Sequence, residues 1–119
     1  MGYVRVRGSI ANPTERNLKR ELEFIVNTGA IYTVIPKSVA EGLKLKELGR
    51  RKFKTADGGV VEFPVSEAYI TIEGEGVTSL VAIADERTPI LLGVTTLELL
   101  GLQVDPVSGK LVPLELMIL

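Results

Sequence analysis

The chain has 119 residues, 45% hydrophobic and 24% charged, the balance of one water-soluble globular domain, here 1–119, with a single core. Its 14 basic and 15 acidic residues nearly cancel, so no electrostatic footprint points to nucleic acid or to an anionic membrane surface. The absence of cysteine excludes disulfides and thiolate chemistry, and the absence of histidine removes serine–histidine and cysteine–histidine catalysis with the usual transition-metal ligands. No metal and no cofactor is expected, and any catalysis must rest on carboxylates, hydroxyls, lysine, tyrosine or backbone dipoles.

In chain order, the first predicted element is a strand in which Val4 and Val6 alternate with Arg5 and Arg7. The alternation begins too early for a signal peptide, and no apolar run reaches membrane-spanning length, so the expectation is a cytoplasmic protein. The cluster "ANPTERN" predicts a turn; its Asn12-Pro13-Thr14 resembles a glycosylation acceptor, which the central proline excludes. A second strand follows, with Leu22, Phe24 and Val26 alternating with Glu21, Glu23 and Ile25. It runs into "FIVNTGA", an apolar strand that ends on one short polar side chain, Asn27. "PKSVAEGL" predicts a short helix entered at Pro36 and stopped at Gly42.

The stretch "RKFKTADGGVVEFPV" predicts a hairpin with a glycine turn, and Ala68, Ile70 and Ile72 alternate with Tyr69, Thr71 and Glu73 in a further strand. "EGEG" and "DPVSG" mark two more hairpin connections. "TTLELLGL" predicts a second helix, with Thr95 and Glu98 spaced as a capping box and Gly101 as its stop. The C-terminal "LVPLELMIL" is too apolar for a free tail; it either packs inside the domain or joins a sheet between two copies. Tyr3, Tyr32 and Tyr69 are expected to pack as amphipathic residues. The sum is a mainly β chain with antiparallel strands and two short helices. Both helices follow an apolar strand with a nearby glycine, "FIVNTGA" and "PILLGV", and both end in Gly-Leu, a pseudo-repeat that hints at two related halves.

Taken in order, these motifs resemble the retropepsin-like aspartic peptidases, the single-domain relatives of retroviral proteases. "IVNTGA" matches the family's apolar-apolar-Asp-Thr-Gly-Ala/Ser signature at every position except the aspartate, where Asn27 stands. "ILLGVTTLELLG" matches the second signature, with Gly93 sixty-six positions after Asn27. The "RKFKTADGGVVEFPV" hairpin lies where the family places its substrate-covering flap, and "GLQVDPVSGKLVPL" looks like its closing segment. The resemblance implies a closed or partly open antiparallel β-barrel of the acid-protease type with one or two short helices. It also implies an endopeptidase in which two carboxylates share a proton and activate a water, without any cofactor.

Because none of Asp57, Asp85 and Asp105 is followed by Thr-Gly or Ser-Gly, the chain holds one such turn, and the implied active unit is a homodimer. The catalytic residues implied are Asn27 in the aspartate position, Thr28 and Gly29. The substrate-binding residues implied are Ala30, the hairpin tip Ala56, Asp57, Gly58 and Gly59, and Leu91 and Leu92. An amide cannot take up the proton, so the chain as written is expected to be inactive, whether Asn27 is natural or introduced. The expected partner is a peptide or protein substrate.

Plainer readings stand beside these. Asn27 before Thr-Gly also suits an Asx turn, Asp57-Gly58 is a routine hairpin turn, and Leu91 and Leu92 suit a core. "DGG" lacks the lysine and following helix of a phosphate loop, and Asp85 and Glu86 read as surface charge. The alternative function is a non-catalytic peptide- or protein-binding module that kept the fold; a small β-barrel of other ancestry is a third.

Overall fold

The computed structural model describes residues 4–118, so the packing expected of Tyr3 lies outside the described residues. Strands β1 (Arg5–Ala11) and β2 (Lys19–Val26) form the first hairpin, followed by β3 (Thr33–Pro36) and helix α1 (Lys37–Gly42). Then come β4 (Gly49–Lys54), β5 (Val60–Ile72), β6 (Glu75–Ala84), β7 (Leu91–Leu92), helix α2 (Val94–Leu100), β8 (Leu102–Val104) and β9 (Leu111–Pro113). The four predicted turn clusters are all hairpin connections. At the tightest, Glu73 and Gly74 both take positive φ (52° and 85°), the geometry that matches a two-residue turn to the twist of its strands.

The strands run β1-β2-β7-β3-β6-β5, and β5 returns to β1 through Gly8↔Ile72 to Ala11↔Tyr69, which curls the sheet into a partly open barrel. β5 can serve two neighbours on one edge because it is long: Val60–Val65 pairs β4 and Tyr69–Ile72 pairs β1. The core follows from the period of two. Ile10, Phe24, Ile35, Ala68, Ile70, Ile72, Val81 and Leu92 are all fully buried, while their charged sequence neighbours in β2 face solvent. Most pairings are antiparallel as expected, but two are parallel: β2 with β7 and β3 with β6.

Those parallel pairings give the pseudo-repeat its physical meaning. β1-β2-β3-α1-β4 corresponds to β5-β6-β7-α2-β8, and each half lends a strand to the other: β2 pairs β7 while β6 pairs β3. The strand-end turns match as well. Asn27 Oδ1 accepts the Gly29 N–H and its carbonyl accepts the Ala30 N–H; Asp85 Oδ1 accepts the Arg87 N–H and its carbonyl accepts the Thr88 N–H.

The helices are exchanged in the same sense. Neither has a side-chain cap of its own, so its first N–H groups need outside acceptors. The Val94 and Thr95 N–H groups of α2 donate to the carbonyls of Ala30 and Ile31, at 2.8 and 3.1 Å. The Ser38 N–H of α1 donates to the Glu86 carboxylate at 2.8 Å, and Ser38 Oγ donates to the same group at 2.6 Å. This corrects the capping box: α2 begins at Val94 behind Gly93, so Thr95 lies inside the helix, and the turn of the other half does the capping. Gly101 does stop α2 in the left-handed conformation (φ 71°). Gly42 is the last residue of α1, where the left-handed position falls two residues later at Lys44 (φ 55°). Buried Asn12 steadies that exit, its Nδ2 donating to the carbonyls of Leu43 and Lys44 at 2.9 and 3.2 Å.

At Gly93 the two halves cross backbone against backbone. A Cβ there would lie 2.4 Å from the Tyr32 carbonyl carbon and 2.7 Å from the Thr33 nitrogen, atoms that cannot move without breaking β3. Gly93→Ala is therefore expected to lower unfolding free energy by about 1–3 kcal/mol, read from the urea midpoint. Gly42→Ala, whose Cβ meets nothing within 4 Å, serves as the control and should be neutral or stabilising by up to about 1 kcal/mol.

Candidate active site

β2 carries Asn27 to the surface. Alternate residues Leu22, Phe24 and Val26 are buried, and the ladder continues past the strand end, with Ile25 N–H donating to the Ile90 carbonyl and Asn27 N–H to that of Leu92 at 3.1 Å. The chain then turns through the Asn27–Gly29 and Asn27–Ala30 hydrogen bonds, and the next two carbonyls close the start of α2. The Asn27 backbone is thus held from β7 and the turn that follows it from α2, while Asn27, Thr28 and Gly29 are themselves exposed.

Beneath the turn runs a buried line of hydroxyls that the sequence reading missed. Gly93 N–H donates to Thr33 Oγ1 at 3.0 Å, Thr33 and Thr96 hydroxyls lie 2.7 Å apart, and Thr96 and Ser79 hydroxyls lie 2.9 Å apart. Ser79 Oγ donates onward to the Leu80 carbonyl at 3.2 Å. Pointing every hydroxyl proton from Thr33 through Thr96 to Ser79 satisfies each donor once, so β3, α2 and β6 are joined with no unpaired polar atom. The signal in the sequence was slight: Thr33 and Ser79 sit at inward positions of their strands, where an apolar residue is the rule.

The Asn27 turn opens into a cleft of about 800 Å³ under the β4–β5 hairpin. Of the expected site residues, Asn27, Gly29, Ala30, Ala56 and Leu91 line it. Thr28 is exposed and does not line it, and Asp57, Gly58 and Gly59 form the hairpin tip beyond it. The leucine pair divides: Leu91 faces the cleft, and Leu92, fully buried, belongs to the core. The adjacent positions point to opposite faces of β7. One part of the cleft wall is built of three packed aromatic rings. Tyr32 meets Phe53 edge-on with ring centres 5.5 Å apart, and Phe53 meets Phe63 at 6.1 Å. Tyr69, by contrast, lies on the far side of the barrel under the Arg16 guanidinium, 3.7 Å from its ring centre.

Each of the three aspartates is engaged in its own turn, as Asn27 is. Asp57 Oδ1 accepts the Gly59 N–H at 3.1 Å and the Thr55 hydroxyl, and Asp105 accepts the Val107 N–H and the Ser108 hydroxyl. Those donors hold both carboxyls below the usual aspartate value, the Thr55 hydroxyl leading for Asp57 and the Val107 N–H for Asp105. Glu86 is lowered likewise, by Ser38. Asp85 and Glu86 are both exposed and serve different partners, in keeping with surface charge. An aspartate fits the Asx turn as well as an asparagine does, so the turn at 27 has room for either.

The family model described as "gag-polyprotein putative aspartyl protease" matches residues 15–99, from the β1–β2 turn through most of α2. The chain belongs to this family. The match takes in the Asn27 turn and the β4–β5 hairpin, which build the cleft, and Gly93 at the crossing of the halves, so this aspartyl-protease-type domain has a hydrolase's lineage. No curated protein matches the chain.

Thr96→Val keeps the side-chain shape and removes the central hydroxyl of the buried line. We expect a loss of about 1–3 kcal/mol in denaturant unfolding, against less than about 0.5 kcal/mol for Thr95→Val at a half-buried position. At the hairpin tip, the lowered Asp57 pKa means its contribution is complete above the unfolded aspartate value and lost as pH falls through the depressed folded one. The Gly59 amide should therefore keep its NMR shift and exchange protection through mildly acidic pH, and lose them only below the usual carboxylate range.

Proposed function

We propose that the domain is an aspartic endopeptidase-type homodimer whose catalytic aspartate position holds Asn27, and that the chain as written binds extended peptides without cleaving them. The observation that carries the proposal is the position of Asn27: an exposed polar group at a strand end tied to β7, on a turn tied to α2, at the edge of a cleft with one apolar wall and a hairpin above it. In the reaction we assign to the Asp form, two carboxylates share one proton. The ionised one takes a proton from water as the water attacks the peptide carbonyl, and the other gives its proton to the leaving nitrogen. One exposed carboxylate alone would ionise normally and could not divide these roles, so the second must come from a second copy across a two-fold axis.

Exposed apolar residues support that assembly: Leu99 is 50% exposed, and Leu116, Met117 and Ile118 of the C-terminal segment are 65–93% exposed. Of the two expectations for "LVPLELMIL", only Leu111–Pro113 joins the chain's own sheet, through β8; the segment beyond Leu114 has no partner strand among the described residues. In this proposal it pairs with the second copy. The β4–β5 hairpin acts as the flap, and its exposed tip backbone adds to an extended substrate as a neighbouring strand.

The second reading, a binding module without catalysis, is favoured by one observation: the cleft is intact while its acid is an amide. One experiment separates the two. Asn27→Asp and the chain as written are incubated with an unfolded protein across acidic to neutral pH. The expected result is cleavage by the aspartate form alone, at a rate at least about 10²-fold higher, stopped by a transition-state inhibitor of aspartic peptidases, from a species of twice the chain mass. Two folded proteins that both fail to cut would remove the peptidase reading and leave the binding module.

A further inference from the structure

Charge is divided unevenly between the cleft and the rest of the molecule. The chain as a whole carries 14 basic and 15 acidic residues, yet the charged residues that line the cleft are Arg51, Lys52 and Lys54 of β4, with no carboxylate among them. Ion pairing elsewhere sharpens the contrast. Arg50, their neighbour on the same strand, is held by Glu62 at 2.9 Å and by Glu47 at 3.5 Å, which together raise its pKa. Lys52 lies opposite Glu62 in register, but that carboxylate bonds Arg50. Arg51 stands opposite Phe63 and Lys54 opposite Val60. Among the described residues none of the three lining cations has a carboxylate within ion-pair distance.

The nearest acid at the hairpin tip is also committed, since Asp57 turns its carboxylate back onto Thr55 and Gly59. Between the cations stands Phe53, packed on Tyr32 and Phe63. The arrangement is an apolar slot bordered by unneutralised positive charge: Arg51 shares the face of Phe53, and Lys54, the last residue of β4, stands beside it on the other face of what is the end strand of its sheet, both lining the cleft.

From this arrangement we infer that the cleft selects extended peptides carrying acidic side chains on both sides of an aromatic or large aliphatic residue. The apolar side chain enters the Tyr32–Phe53–Phe63 slot, where burial supplies affinity, and the flanking carboxylates meet Arg51 and Lys54, which supply selectivity. A single-stranded nucleic acid would also meet cations and rings. The rings here, however, pack against one another edge-on or tilted, which leaves the wall unlike the open faces on which bases stack. The inference rests on the proposal that the cleft receives peptides, and deepens it by naming the class.

The test uses the full chain as written, which should hold peptides without consuming them. Fluorescein-labelled peptides with a central phenylalanine and acidic, neutral or basic flanks are titrated by anisotropy at low and high salt, beside a labelled single-stranded oligonucleotide. Exposed ion pairs are individually weak, so two or more together should make the acidic peptide bind about tenfold tighter than the neutral one, with the advantage falling as salt rises. The double variant Arg51→Glu/Lys54→Glu changes exposed side chains only; its folding is checked by circular dichroism, and it should prefer the basic peptide. If the peptides bind alike whatever their flanks, or the oligonucleotide binds tightest, the charge inference falls. In the first case the peptide-cleft reading survives; if no peptide binds at all, both fall together.

Discussion

Everything at the cleft depends on one constraint: the two halves of this chain complete each other's hydrogen bonds. β7 finishes the ladder of β2, β6 finishes that of β3, and each helix begins on acceptors supplied by the turn of the opposite half. A buried or half-buried N–H without an acceptor costs as much as a lost hydrogen bond. The half that carries α2 therefore cannot reach this conformation alone without leaving the half-buried Val94 and Thr95 N–H groups unmet, whereas the exposed Ser38 N–H of α1 could turn to water. Such mutual dependence makes the position of Asn27 a property of the whole ring, since its backbone is tied to β7 and its turn to α2.

The crossing point explains why a glycine and a line of hydroxyls occur together. At Gly93 the backbone of one half passes against the Tyr32–Thr33 peptide of the other, closer than any side chain permits. The close approach brings the Gly93 N–H to Thr33 Oγ1, and Thr96 and Ser79 carry the hydrogen bonding on into β6. A fully apolar core at this point would leave that N–H without an acceptor. Three small hydroxyl residues fill the space and satisfy it.

The electrostatic character of the cleft arises from which carboxylates are already occupied. Asp57, Asp85 and Asp105 close their own turns, Glu86 caps α1, and Glu47 and Glu62 neutralise Arg50. With Asn27 uncharged, the remaining lining charge is that of β4. A chain of net charge -1 thus acquires a positively charged cleft without any excess of basic residues.

The sequence by itself determined most of the strands, the hairpin turns and the two helices, because alternation of buried and exposed positions and the turn chemistry of Gly, Asn and Asp act over a few residues. It also marked Asn27 as the exposed polar end of a buried strand, since that depends only on what precedes and follows it. Leu91 and Leu92 show the limit: both read as apolar, and only the path of β7 sends one to the cleft and the other to the core. The helix caps, the parallel pairings, the Thr33–Thr96–Ser79 line and the aromatic wall were decided by the tertiary structure. Each joins residues distant in sequence (63 positions apart for Thr33 and Thr96), and no local pattern records which distant group will arrive to accept a hydrogen bond or to leave a cation unpaired.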